Sequence, residues 1–138
     1  MTVVVNRSGV YTLLHAPYGT TGRYTFMRGE RVATRAKQLL AGKVRTGRLQ
    51  NSIKASPPER YAGRKRGLTV RVGAGRVRYA RWVHDGTGIY GKYGSRIVPR
   101  RATLLRFPWH GRIVYAKSVR GVPAFPYLRR ALAMEMGR

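Results

Sequence analysis

Twenty-nine lysines and arginines stand against four aspartates and glutamates in this 138-residue chain, a net charge of +25. No other feature constrains the fold as much. A small domain so charged repels itself, and something acidic must neutralise it, either nucleic acid or acidic protein surfaces. The four acids, Glu30, Glu59, Asp85 and Glu135, are scattered along the chain. A paired-carboxylate hydrolase or a carboxylate metal cage needs several to converge, so both are disfavoured. With no cysteine, disulfide scaffolds, thiolate zinc sites and cysteine nucleophiles are excluded. Hydrophobic residues make up 43% of the chain, enough for a core. The length suits one domain. No apolar run approaches a membrane span, and Met1 to Val5 does not read as a signal peptide.

Of the 29 cations, 23 are Arg and six are Lys. Arg suits bidentate recognition of phosphate and carboxylate and stacks on aromatic rings. A genome rich in Arg codons produces the same bias.

Residues 1–24 read as an extended arm or hairpin. Val3-Val4-Val5 is a β-branched run, Asn6-Arg7-Ser8-Gly9 is turn chemistry, and Val10 to Leu14 suits a returning strand. Pro17 to Gly22 reads as a loop. Residues 25–138 read as a single α+β domain. Its strongest helix signal runs from about Phe26 to Ala41, with Val32, Ala36, Leu39 and Leu40 on one stripe, Thr25 as N-cap and Gly42 at C′. Residues 43–67 are polar and irregular. Leu68, Val70 and Val72 alternate as a half-buried strand. Val77 to Val83 reads as a strand passing into a helical turn. Residues 85–102 hold four glycines and keep no apolar period, which predicts a long exposed loop. Thr103 to Phe107 and Ile113 to Lys117 flank a turn near His110-Gly111-Arg112. The chain ends on a helix with Pro126 at N1 and Leu128, Ala131, Leu132 and Glu135 on successive turns. The core is expected to contain Leu39, Leu40, Val70, Val72, Trp82, Leu128 and Leu132.

Catalytic signals are weak. His15, His84 and His110 have no ligand-like spacing, so no metal or cofactor is expected. His84 beside Asp85 is half of a triad in sequence only, because adjacent side chains generally point apart and no serine sits in an elbow motif. Gly73-Ala74-Gly75-Arg76 lacks the third glycine and the Lys-Ser/Thr ending of a phosphate loop and suits a β-turn. No helix-turn-helix or RNA-binding signature occurs, so nucleic-acid contact rests on charge, which brings affinity without sequence specificity. The candidate contact residues for DNA or protein partners are Arg60, Arg64, Lys65 and Arg66 in one cluster. Tyr90, Lys92, Tyr93, Arg96, Arg100 and Arg101 lie in and after the glycine-rich loop.

Three stretches, in order, carry a family resemblance. They are Thr46-Gly47-Arg48-Leu49-Gln50-Asn51-Ser52-Ile53, Tyr79-Ala80-Arg81-Trp82-Val83-His84-Asp85-Gly86-Thr87, and Pro123-Ala124-Phe125-Pro126-Tyr127-Leu128-Arg129-Arg130-Ala131-Leu132. Across roughly residues 27–135 the chain resembles the tailed-phage neck proteins, the gene-product-ten-like tail components that join head to tail in siphophages. Family members often carry an acid where this chain has His84, and the acid here is Asp85. Residues 1–24 have no counterpart. As fold determinants, Thr46-Gly47 breaks a helix ahead of Leu49, and Gly86-Thr87 turns the chain after Tyr79, Trp82 and Val83. Pro126 starts the helix that packs Leu128 and Leu132.

The expected fold is α+β, a small, mostly antiparallel sheet with the long helix and the C-terminal helix packed on it. The resemblance implies a structural virion protein rather than an enzyme, assembled in the host cytoplasm as a homo-oligomeric ring around the DNA channel. Its implied partners are its own copies, the portal or adaptor side, the tail-completion side, and the genomic DNA. The alternative is a sequence-nonspecific basic nucleic-acid-binding protein. A domain of this size is roughly 35–40 Å across, and a duplex offers on the order of 22 phosphate charges over that length. A ring of about six copies carries around 150 positive charges. Most arginines are therefore expected to face acidic protein, with Arg64-Lys65-Arg66 and Arg100-Arg101 as the partner-facing clusters.

Overall fold

The computed structural model describes residues 6–43, 47–61, 67–75 and 77–137. The architecture is α+β. The chain divides into two compact units. Unit 1 is Met1–Arg76 with Tyr127–Arg138, and unit 2 is Val77–Pro126.

The spine of unit 1 is a 21-residue helix, α2 (Thr20–Leu40). Gly29, Val32, Ala33, Ala36 and Leu40 are buried along it at three- and four-residue steps, the spacing of one helical face. Its small residues let neighbours come close. A β-carbon on Gly29 would lie 2.5 Å from Val70 Cγ1. The helix starts six residues earlier than the sequence suggests. Gly19 is the N-cap, and the Thr25 hydroxyl donates to the Thr21 carbonyl one turn back at 2.8 Å instead of capping. Gly22, read as loop, is buried inside the helix with its α-carbon against the Pro17 carbonyl, where no side chain fits. At the other end Gly42 sits at C′ with φ +76°, as expected.

Ahead of α2 lies α1 (Arg7–His15), a helix where a returning strand was expected. Asn6 is the reason, because its side chain accepts from the Gly9 N–H at 3.0 Å and caps the helix instead of closing a hairpin. Tyr11 and His15, one turn apart, stack with ring centroids 4.1 Å apart. No residue of α1 is buried. Val3-Val4-Val5 lies outside the described residues.

Thr46 also lies outside them, but Gly47 takes φ +62° as N-cap of the short α3 (Arg48–Ser52) and delivers Leu49 and Ile53 into the core, both 0% exposed. Next come β1 (Lys54–Ala55), β2 (Glu59–Arg60), β3 (Leu68–Thr69) and β4 (Val72–Gly73). Antiparallel β1–β4 and β2–β3 are two arms of one interrupted hairpin. Pro57 and Pro58 carry no N–H, so the ladder breaks beside them. The Ser56 N–H still donates to the Arg71 carbonyl at 2.7 Å across the gap.

The C-terminal helix of unit 1, α5 (Tyr127–Glu135), begins directly after Pro126 and packs on α2 through buried Tyr127 and Ala131. Val70, Val72, Leu128 and Leu132 line an open apolar cleft of about 360 Å³. That explains why the first three are only half-buried and why Leu132, expected in the core, is 48% exposed. An ion cluster ties the two helices. The Glu135 side chain, 7% exposed, takes Arg28 Nε at 3.1 Å, Arg35 Nε at 3.3 Å and Arg31 Nη1 at 3.8 Å. Arg28 Nη2 also donates to the Glu135 carbonyl at 2.8 Å. One carboxylate thus answers three of the charges on α2.

Unit 2 opens with α4 (Ala80–Asp85), followed by a 3-10 turn at Gly88–Tyr90. The glycine-rich stretch is not a bare loop. Thr87 N–H donates to the Val122 carbonyl at 2.9 Å and Ile89 N–H to the Arg120 carbonyl at 2.8 Å. Ile97 and Val119 exchange both backbone bonds, and Phe125 N–H reaches the Val83 carbonyl at 2.9 Å. Gly88 and Gly121 meet where the two segments cross, each with its missing β-carbon pointing at the other segment's backbone. The hairpin follows as β5 (Leu105–Trp109) and β6 (Arg112–Ala116), in full antiparallel register from Leu105↔Ala116 to Trp109↔Arg112. Its two-residue turn is His110-Gly111 with φ +47° and +78°, the doubly positive geometry that matches strand twist. Among the described residues the sheet content is three two-stranded antiparallel ladders.

Candidate functional site

Unit 2 has no buried apolar side chain among its described residues, and the buried apolar side chains described belong to unit 1. Trp82, expected in the core, is 60% exposed because α4 is a six-residue helix that buries none of its side chains. Tyr79 and Val83 are half-buried. On the hairpin, Ile113 and Tyr115 point from one face to solvent, while Phe107, Trp109 and Val114 line an apolar groove of about 470 Å³ with Val119 and Val122.

Beside this lies an open cleft of about 700 Å³. It gathers residues from three places, Arg81 and Trp82 from α4, Lys92 and Tyr93 after the 3-10 turn, and Arg96 and Arg100 from the following segment. Lys92 Nζ sits 5.8 Å from the Tyr93 ring centroid, within cation–π range. Arg96 Nη1 donates to Ser118 Oγ at 3.2 Å, which fixes its stem. The single carboxylate in the lining is Asp85. His84 Nδ1 lies 2.8 Å from Asp85 Oδ1 and Arg81 Nε 3.4 Å from Oδ2. The hydrogen bond from His84, seconded by Arg81, holds the Asp85 carboxyl below the usual carboxylate range. The neighbours His84 and Asp85 therefore do meet, contrary to the expectation that they point apart.

Of the sequence candidates, Lys92, Tyr93, Arg96 and Arg100 line the cleft. Tyr90 and Arg101 are exposed but outside its lining. Arg60 belongs to unit 1, where its Nε donates to the His15 carbonyl at 3.3 Å and ties α1 to β2. Arg64, Lys65 and Arg66 lie outside the described residues. Sequence reasoning missed Arg81 and Trp82 as surface groups, since their spacing with Tyr79 and Val83 suggested packing. It also missed the arginine cluster on Glu135, whose signal was present as Arg28, Arg31 and Arg35 at helical intervals.

Within unit 2 the second motif bonds to the start of the third, at Phe125, and to Val122 just ahead of it. The Val83 carbonyl takes Phe125 N–H, and Thr87 bonds Val122 through both its N–H and its hydroxyl oxygen, which accepts from Val122 N–H at 3.0 Å. No described helix is long and apolar enough to cross a membrane. No family model, curated protein or solved structure matches the chain.

Proposed function

We propose that the protein is a structural, non-catalytic assembly component of a tailed-phage virion, a ring of identical copies at the head–tail junction that surrounds the DNA channel and joins head to tail. The observation that carries the assembly reading is the absence of a buried apolar side chain among the described residues of unit 2. A unit of about 50 residues is marginal by size, and without buried apolar side chains it gains from covering its apolar surface against a neighbour. The hairpin exposes apolar side chains on both faces, Trp109 at 61% on one and Ile113 and Tyr115 on the other, surfaces of the kind that neighbouring subunits cover. The head–tail assignment rests on the order of the three motifs, and the backbone bond from Phe125 N–H to the Val83 carbonyl, which joins the second to the third, supports reading them as one fold signature. Partners in this reading are further copies, the portal or adaptor protein, the tail-completion protein and genomic DNA.

Sedimentation velocity on nuclease-treated protein in high salt tests the reading. A discrete closed oligomer is expected. A monomer at every concentration contradicts it and favours the second reading, a free sequence-nonspecific nucleic-acid-binding protein, for which the cationic cleft speaks.

A further inference from the structure

We infer that the cleft of unit 2 binds single-stranded nucleic acid, with Lys92, Arg96 and Arg100 holding phosphates while Trp82 and Tyr93 stack on unpaired bases. This is independent of the assembly reading, because it concerns one subunit's own surface. The lining carries four cations and one carboxylate, and that carboxylate is already engaged by His84 and Arg81. Lys92, Arg96 and Arg100 thus face the cleft with no acid in its lining left over for them.

The rings decide what kind of anion fits. Tyr93 is 85% exposed and Trp82 60%, both beside those cations. The face of an aromatic ring is the negative end of its quadrupole, so it repels a carboxylate. An acidic peptide would use the cations and gain nothing from the ring faces. A duplex would also use only the cations, since its bases are stacked on one another inside the helix. A ligand that satisfies both features is anionic along one edge and flat along the other, which describes a strand with unpaired bases.

Whole-protein charge draws any polyanion, so the test reads what the rings add. Full-length, nuclease-treated protein is titrated into fluorescein-labelled dT12, a 12-base-pair duplex and poly-glutamate, with anisotropy followed over a series of salt concentrations. Tyr93→Ala and Trp82→Ala should each weaken dT12 binding about 5-fold or more at unchanged salt slope. Tyr93→Phe and Trp82→Phe should restore it, which separates stacking from loss of fold. Arg96→Gln and Arg100→Gln should each lower the slope by about 0.7. Duplex and poly-glutamate affinity should not respond to the ring variants. If dT12 affinity ignores the removal of both rings, or if poly-glutamate depends on them equally, the inference is overturned and the cleft is an acidic-protein site.

Discussion

Gly121→Ala is the most informative single substitution, because it strikes the crossing that holds unit 2 together. Gly121 has φ +93°, and an added β-carbon would collide with the Thr87 carbonyl and lie 2.8 Å from Gly88 Cα. Backbone atoms cannot swing aside as a side-chain tip does, so the two segments must separate. Separation breaks Thr87 N–H to Val122 at 2.9 Å and Ile89 N–H to Arg120 at 2.8 Å. Each such bond is worth about 1 kcal/mol net. A non-glycine residue at this φ adds about 1–2 kcal/mol. The total, about 3–4 kcal/mol, compares with the few kcal/mol that a unit of about 50 residues commands. Both tryptophans, Trp82 and Trp109, lie in unit 2, so tryptophan fluorescence reports on that unit alone. The expected result is loss of the cooperative fluorescence transition, or a fall of well over 10 °C in its midpoint. Gly111→Ala is the control. It has φ +78° with nothing within 4 Å of the added atom, so it should cost only about 1 kcal/mol. Equal midpoints for Gly121→Ala and Gly111→Ala would refute the interlock.

Leu40→Ala should destabilise unit 1 by about 2–5 kcal/mol, since Leu40 is fully buried, whereas Leu132→Ala at the mouth of its cleft should cost under about 1 kcal/mol in chemical denaturation followed by helical circular dichroism. Glu135→Gln leaves Arg28, Arg31 and Arg35 without a counter-charge and should cost about 1–3 kcal/mol by the same assay, softened because the arginines reach water. The depressed Asp85 pKa contributes stability that is present above the ordinary carboxylate value and is lost as pH falls through the lowered folded value. Carbon-detected NMR titration should therefore find Asp85 below a model aspartate, and His84→Ala should move it back up. Neutralising Arg64, Lys65 and Arg66 together should reduce head–tail joining yield more than it reduces the salt slope of DNA binding.

The long helix, the hairpin turn and the C-terminal helix were legible because each has a local cause, namely the Val32–Ala36–Leu40 stripe, the His110-Gly111 pair and Pro126. Residues 7–15 were not. Val10, Tyr11, Leu13 and Leu14 fit a short strand or a helix face alike, and Asn6 serves a turn as well as a cap. Gly22 was misread because a glycine chosen for close approach to Pro17 looks, in sequence, like a glycine chosen for a loop. Trp82 and Leu132 show the limit of apolar periodicity. It tells which residues share a face, and it does not tell whether anything covers that face. The cleft was half legible. Lys92, Tyr93, Arg96 and Arg100 are close in sequence, whereas Arg81 and Trp82 arrive from α4, where the chain doubles back and sets Gly91 against Gly86 and Thr87.

The role proposed for this chain is to join heads to tails. Its most direct test is electron microscopy of phage particles assembled with the gene for this chain silenced. The account predicts DNA-filled heads and free tails that stay apart until the purified protein is added back. Fully joined, infectious particles formed without the chain would contradict it.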